Sequence, residues 1–247
     1  MQLTVLGSNG TYPTPGRPSS GYMVDTGSGR ILLDCGPGVF AAMLEREIMP
    51  DAIVLSHGHG DHCLDLLSLF NYLRFDRTDL REIPLLAPDG VVDRLAAFVG
   101  AGPTHMFFEV FVPELVAPGA TVRIAGATLD FGAAVHPVPA LCVRVATAGS
   151  ALVYSGDTGP GGDLLDLATN ADLLLCEATH QGTPPSDRYP YHLYAVEAGE
   201  IAASAGAAAL FVTHVGPTLD PATSVAEAGA VFAGRVGHAA PGTEVRL

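Results

Sequence analysis

Ser56-His57-Gly58-His59-Gly60-Asp61-His62 follows directly on the apolar run Ala52-Ile53-Val54-Leu55. The run reads as a buried strand, so a tight loop carries the polar side chains away from its end. In an extended loop His57 and His59 lie on one side, where two imidazoles can converge on one ion. Asp61 and His62 open the next helix, where they can turn towards a second ion, and the carboxylate can also orient a water. These side chains make poor core filler, because burying so many polar groups without partners is costly. Gly58 and Gly60 keep the loop narrow and permit unusual backbone angles.

Three further apolar runs end in the same way, at Val135-His136-Pro137, at Tyr154-Ser155-Gly156-Asp157-Thr158 and at Phe211-Val212-Thr213-His214. A lone histidine or aspartate at a strand end is commonly a capping or hydrogen-bonding residue. Together with the first cluster, the repeated ending is the pattern of a metal site.

Outward from the cluster, Met1 to Leu6, Gly21 to Asp25 and Arg30 to Asp34 read as strands, followed by a helix over Val39 to Arg46. Helical periodicity covers Asp65 to Phe75 and Val91 to Val99, with a strand at Ile83 to Ala87. Phe107 to Tyr154 reads mainly as strands, among them Thr128 to Val135, Leu141 to Ala146 and Ala151 to Tyr154, separated by glycine-containing turns. Asp163 to Ala168, Val196 to Ala205 and Pro221 to Phe232 read as helices, with strands at Asp172 to Cys176 and Ala209 to Thr213. Two successive sets of strands, each followed by helices, suit an α/β sandwich of two sheets packed face to face with helices on both outer surfaces. A boundary near Pro103 is conceivable, but metal-binding candidates fall on both sides of it, so residues 1–247 read as a single domain.

Among 247 residues, 26 acidic side chains face 12 basic ones, all arginine, for a formal charge of -14. That balance opposes a long nucleic-acid partner, which needs a cationic surface, and reads as a solvated acidic exterior. The apolar share of 48% is ample for a core. Cys35, Cys63, Cys142 and Cys176 form no C-x-x-C pair and read as buried reduced thiols. The N-terminus has no secretion pattern, and no apolar run approaches the ~20 residues of a membrane span, which points to the cytoplasm.

These residues resemble the metallo-β-lactamase superfamily, and within it the branch of ribonuclease Z and the small cyclic-nucleotide phosphodiesterases. The resemblance spans nearly the whole chain, through Leu6-Gly7-Ser8, Leu33-Asp34-Cys35-Gly36, the histidine cluster continuing into Cys63-Leu64-Asp65, Tyr154 to Gly159, Leu175-Cys176-Glu177-Ala178-Thr179, His192, Glu197-Ala198-Gly199 and Val212-Thr213-His214. It implies the αββα fold and two divalent ions, Zn(II) first, with manganese or iron compatible with a mixed N/O donor set. It implies that His57, His59 and His136 bind one ion, that Asp61, His62 and His214 bind the other, and that Asp157 bridges them. Asp34 would support the histidine loop without ligating. His192 would supply a proton to the leaving oxygen, with Glu177 holding it in place. Relatives often dimerise, so one alanine-rich face between Ala195 and Phe211 is a possible homodimer interface, although burial against the sheet explains it more simply.

Two ions sharing a water can lower its pKa and polarise a phosphoryl or acyl group. His192 and Glu177 favour a phosphodiesterase over β-lactamases and glyoxalase-type thioesterases. Ribonuclease Z carries a long glycine- and proline-rich arm between the bridging aspartate and this histidine. Here Asp157 and His192 are too close in sequence to hold it, and the usual His-Ser-Thr reads His192-Leu193-Tyr194. A small anionic phosphodiester such as a cyclic nucleotide is therefore expected ahead of transfer RNA. The alternatives are an ester, lactone or thioester hydrolase on the same centre, a ribonuclease Z-like endoribonuclease, and a binding-only scaffold. Gln181 to Tyr191 reads as a mobile loop over the site, able to stack on a substrate ring. His105, His180 and His238 read as ordinary surface or loop histidines, with His180 near enough to Glu177 to line the pocket.

Overall fold

Ile31-Leu32-Leu33 is apolar at every position, which a strand tolerates only when both its faces are covered. In the computed structural model, which describes residues 1–76, 82–100 and 106–247, both faces are covered. The chain runs β1 (Gln2–Gly7), β2 (Gly21–Asp25), β3 (Arg30–Leu33), α1 (Val39–Glu45), β4 (Ala52–Val54), α2 (Gly60–Cys63), α3 (Asp65–Phe75), β5 (Ile83–Ala87), α4 (Val91–Phe98), α5 (Phe107–Val110) and β6 (Phe111–Leu115). It continues through β7 (Thr121–Ile124), β8 (Ala127–Ala133), β9 (Leu141–Ala146), β10 (Ala151–Tyr154), α6 (Leu164–Leu167), β11 (Leu173–Glu177), α7 (Ala195–Ala205), β12 (Ala209–Thr213), α8 (Pro221–Gly229), β13 (Arg235–His238) and β14 (Glu244–Arg246).

Two mixed seven-stranded sheets result, in the orders β14-β1-β2-β3-β4-β5-β6 and β13-β12-β11-β10-β9-β8-β7. Strand alternation sorts the apolar side chains into three layers. Ile31, Leu33 and Val54 meet Phe131, Val143 and Leu175 between the sheets. Leu32 and Ile53 point the other way, against Met43, Leu69 and Phe107 under the first helical layer. Val153, Leu174 and Cys176 pack on Ala198, Ala202 and Ala228 under the second. The alanine-rich face of α7 is thus buried against its own sheet, where the small side chains let helix and sheet approach closely. All four cysteines are buried free thiols.

Within the first sheet β3 to β6 are parallel, and within the second β10 to β13 are parallel. Their carboxyl ends therefore gather along one edge, and β8, antiparallel to β9 as β10 is, ends at that edge too. Open α/β sheets place their ligands at such an edge.

Most expected elements fall within a residue or two of their positions. Phe107–Val110 is an exception: expected as strand, it forms a helical turn that seats Phe107 and Val110 in the outer core. The last helix ends at Gly229, three residues before Phe232, and the strands β13 and β14 were not foreseen. β14 pairs antiparallel with β1, matching Leu3 to Val245. Among the described residues no helix is long and apolar enough to cross a membrane. Pro103 and His105 lie outside the described residues.

Candidate metal centre

The three further strand ends and the histidine cluster meet at this edge. Ligand atoms of His57, His59, His136 and Asp157 lie within 4.8 Å of one another, as do those of Asp61, His62 and His214. Asp157 faces both groups: Oδ2 lies 3.7 Å from His57 Nε2, and Oδ1 lies 3.2 Å from His62 Nε2 and 3.4 Å from His214 Nε2. Asp61 Oδ2 is 3.2 Å from His214 Nε2. These two sets contain the seven residues that the resemblance names, and Asp157, His192 and His214 form a third set within the same distance.

Four of the imidazoles, His57, His62, His136 and His214, are oriented from outside the cluster. Asp34, fully buried, accepts hydrogen bonds on Oδ1 from the Ser56 backbone N–H, and on Oδ2 from Ser56 Oγ, His62 Nδ1 and Tyr154 O–H, all at 2.7 Å. Because Ser56 gives its one hydroxyl proton to Asp34, it can only accept from His57 Nδ1, 3.0 Å away. Thr179 likewise gives its proton to Glu177 Oε2 at 2.6 Å, so it accepts from His214 Nδ1 at 2.9 Å. His136 Nδ1 donates to the Tyr191 carbonyl at 3.2 Å. In each of these rings Nδ1–H faces the protein and Nε2 faces the cluster, which is how metal-binding histidines are held.

Three of the inward atoms, His57 Nε2, His62 Nε2 and Asp157 Oδ1, are buried without any hydrogen-bond partner. Buried polar atoms are almost always satisfied, so three orphans pointing into one space fit a group that coordinates. Four carboxylates, Asp34, Asp61, Asp157 and Glu177, converge here, and among the described residues no arginine bonds to any of them. Divalent cations would supply the missing charge, and an imidazole and carboxylate donor set fits zinc.

The electrostatics agree. Burial pushes His57 well down, reinforced by His62, and burial likewise lowers His59 and His136, keeping these rings neutral and able to coordinate. Burial would also lower His62, but Asp157 and Asp34 outweigh it and hold that ring well above its usual value. A cation must therefore displace a proton from His62 on binding. Burial raises Asp157 and Asp61, yet the surrounding histidines win, and both carboxyls titrate below the ordinary range.

His192 stands beside the cluster, its ring stacked on His214 at 5.8 Å and 11°. Nδ1 donates to Glu177 Oε1 at 3.0 Å. Burial works against its charge, but the Glu177 hydrogen bond and charge raise it to about 8. Glu177 is fully buried and also accepts from the backbone N–H groups of Thr158, Thr179 and Leu193.

Some expectations change. Gly58 and Gly60 do not adopt positive φ. They are needed for room: a β-carbon on Gly58 would sit 3.2 Å from Val91 Cγ2, and one on Gly60 2.9 Å from Leu64 Cδ1. The 181–191 loop is tethered, with Arg188 donating to Glu197 at 2.6 Å. His180 lies 6.0 Å ring to ring from His192. His238, expected at the surface, is half-buried on β13 with its pKa lowered by burial. Thr179, Ser56 and Tyr154 were not foreseen as part of the site. Their only signal was position, beside or at the end of a strand that carries a ligand-type residue.

The family model described as "Beta-lactamase superfamily domain" matches residues 29–215. The uncharacterized protein ML1173 of Mycobacterium leprae is 35% identical over 246 residues, covering 96% of this chain and 85% of its own. "Probable metallo-hydrolase YhfI" of Bacillus subtilis is 28% identical over 225 residues, 87% of each chain. The crystal structure of YhfI, a metallo-beta-lactamase fold protein, superposes with a TM-score of 0.85 at 26% identity, over 99% of this chain and 98% of the other. "Ribonuclease Z" of Kineococcus radiotolerans is 29% identical over 260 residues, 86% of this chain and 82% of its own. With this fold and a histidine and aspartate cluster along one sheet edge, the chain belongs to the beta-lactamase superfamily as a metallo-hydrolase.

Proposed function

We propose that the protein hydrolyses a small anionic phosphodiester, such as a cyclic nucleotide, as a single domain of residues 1–247 working in the cytoplasm. The observation that carries this reading is the His192–Glu177 pair, an imidazole raised to about 8 and aimed beside the cluster. An alkoxide leaving a phosphodiester needs a proton, and a group with a pKa near working pH gives it efficiently.

In this reading His57, His59 and His136 hold one ion, Asp61, His62 and His214 hold the other, and Asp157 spans both. Bound there, two divalent ions, zinc first, supply Lewis acidity and bring a water's pKa to roughly 7. Asp61 orients the attacking water by accepting its hydrogen bond. The water, having lost a proton to solvent at that lowered pKa, would bond through its oxygen to phosphorus as the bond to the leaving oxygen breaks, and His192 Nε2–H would pass its proton to that oxygen. Glu177 stabilises the imidazolium and fixes its direction.

Ribonuclease Z among the relatives makes transfer RNA a second reading, but the formal charge of -14 works against a polyanion. A thioester needs no proton on its leaving thiolate, so the pair would be idle on such a substrate. The test is purified protein reconstituted with zinc or manganese and offered 3′,5′-cyclic nucleotides, a lactone and thioester panel, and a transfer RNA precursor. Turnover of cyclic phosphodiesters ahead of the acyl substrates is expected; turnover of the lactone or thioester panel alone would overturn the proposal.

A further inference from the structure

We infer that the cavity beside His136 is where the substrate's uncharged ring sits, and that it selects a nucleobase carrying an exocyclic amino group. The inference deepens the phosphodiesterase reading and rests on it. The cavity has a volume of about 500 Å³, within the roughly 300–1,000 Å³ usual for small-ligand sites. His136 forms part of its wall. Since the Nε2 of that ring faces the cluster, a ligand reacting there has this cavity as its immediate neighbour.

Pro88, Pro118, Pro137 and Pro139 line it. Proline offers no backbone N–H and little freedom, so these walls are rigid and poor in donors. A phosphate is held by N–H groups and cations. No arginine lines this cavity, and its one carboxylate, Asp89, repels anions. The space therefore excludes the phosphoryl group and accepts a flat, neutral ring, which leaves the charged end of the substrate for the metal side. Leu115, 70% exposed, extends the apolar lip.

Asp89 gives the selectivity. It is exposed at the rim and makes no hydrogen bond or ion pair with any described residue. An ionised carboxylate only accepts, so it rewards a ring with an amino donor and is repelled by a carbonyl edge. Adenine, cytosine and guanine carry that donor; hypoxanthine and uracil do not.

The test uses the metal-loaded protein with cyclic AMP, cyclic IMP and a base-free methyl ribofuranoside 3′,5′-cyclic phosphate. Ala117→Trp, on the exposed cavity wall, is expected to raise the ratio of the cyclic AMP KM to the base-free KM about tenfold. Asp89→Ala is expected to erase a preference for cyclic AMP over cyclic IMP. The competing wall is the tyrosine pair Tyr189–Tyr191, whose rings meet at 4.9 Å, Tyr191 lying 6.3 Å from His136. If Tyr189→Ala raises the same ratio while Ala117→Trp leaves it unchanged, the ring stacks there and the inference falls. If no cyclic phosphate is cleaved, including the base-free one, the phosphodiesterase reading has failed instead. Calorimetric binding of 5′-AMP then decides the cavity, with affinity lost in Ala117→Trp supporting it, and no binding or unchanged affinity overturning it.

Discussion

Asp34→Asn changes one atom and isolates the hydrogen bonding beneath the metal centre. Asp34 sits at φ 59°, a conformation that asparagine tolerates at least as well, so the backbone gains no new strain. Asn also matches the carboxylate in volume, so no cavity opens. What changes is acceptor count. Oδ2 serves three donors and Oδ1 one, and all four contacts are buried. In its better orientation the amide carbonyl keeps the three and turns its NH2 against the Ser56 N–H, two donors facing each other. Each orphaned buried donor costs ~1–3 kcal/mol, so the loss should be at least ~2 kcal/mol. For a domain of this size that lowers Tm by at least ~4 °C. The loop that carries His57 also loses its anchor, and a lost outer partner of this kind typically weakens metal binding ~10–100-fold. Thermal melting and competitive zinc titration read the two effects separately. A variant that melts with the wild type and holds zinc equally well would refute the proposed tautomers, since they assume that Asp34 takes the protons of Ser56 and His62.

Four other outcomes are expected. His59→Ala should abolish turnover and reduce bound metal, whereas His192→Ala should lose turnover with metal retained, as measured by metal analysis beside the activity assay. The proton donor must be protonated, so activity should decline as pH rises through a limb at or below about 8, cations pushing the same way as burial; Glu177→Gln should move that limb lower. The sign for stability is the same, because a histidine raised in the folded state contributes below its unfolded value near ~6.5 and loses the contribution as pH passes about 8. Burial raises the Cys63 thiol to about 12 and raises those of Cys35, Cys142 and Cys176, so iodoacetamide at pH 8 should label none of them until denaturant is added, which mass spectrometry would show.

Much of the cluster was legible because its histidines and aspartates follow strand ends that the apolar runs mark clearly. His57, His59, Asp61 and His62 announce themselves by density alone. His136, Asp157 and His214 gain meaning only in company, which strand pairing supplies. The hydrogen-bonding tier was less visible: Thr179 and Tyr154 lie outside the cluster in sequence, and nothing local says that one hydroxyl serves Glu177 and His214 while the other serves Asp34. β14 was hidden for a different reason. It is three residues long with charged neighbours on either side of Val245, and it is a strand only because β1 offers an unpaired edge.

Three kinds of departure from ordinary folding rules coincide along the one edge. Non-glycine residues take positive φ at Asp34 and His214, where such backbone costs of order 1–3 kcal/mol each. Polar atoms of His57, His62 and Asp157 are buried without partners. Carboxylates crowd together without arginine. The surrounding histidines offset part of the carboxylate charge, but no neighbouring side chain satisfies the orphaned atoms. Cations bound at this edge would satisfy the orphaned atoms and neutralise the carboxylates, and the strained positions would aim the side chains at them. The first sheet contributes Asp34 and the histidine loop, and the second contributes His136, Asp157 and His214, so ions bound between them would also tie the sheets together. Occupancy and folding stability are then one linked equilibrium, and a ligand at ~1,000 times its Kd adds ~4 kcal/mol to the folded state.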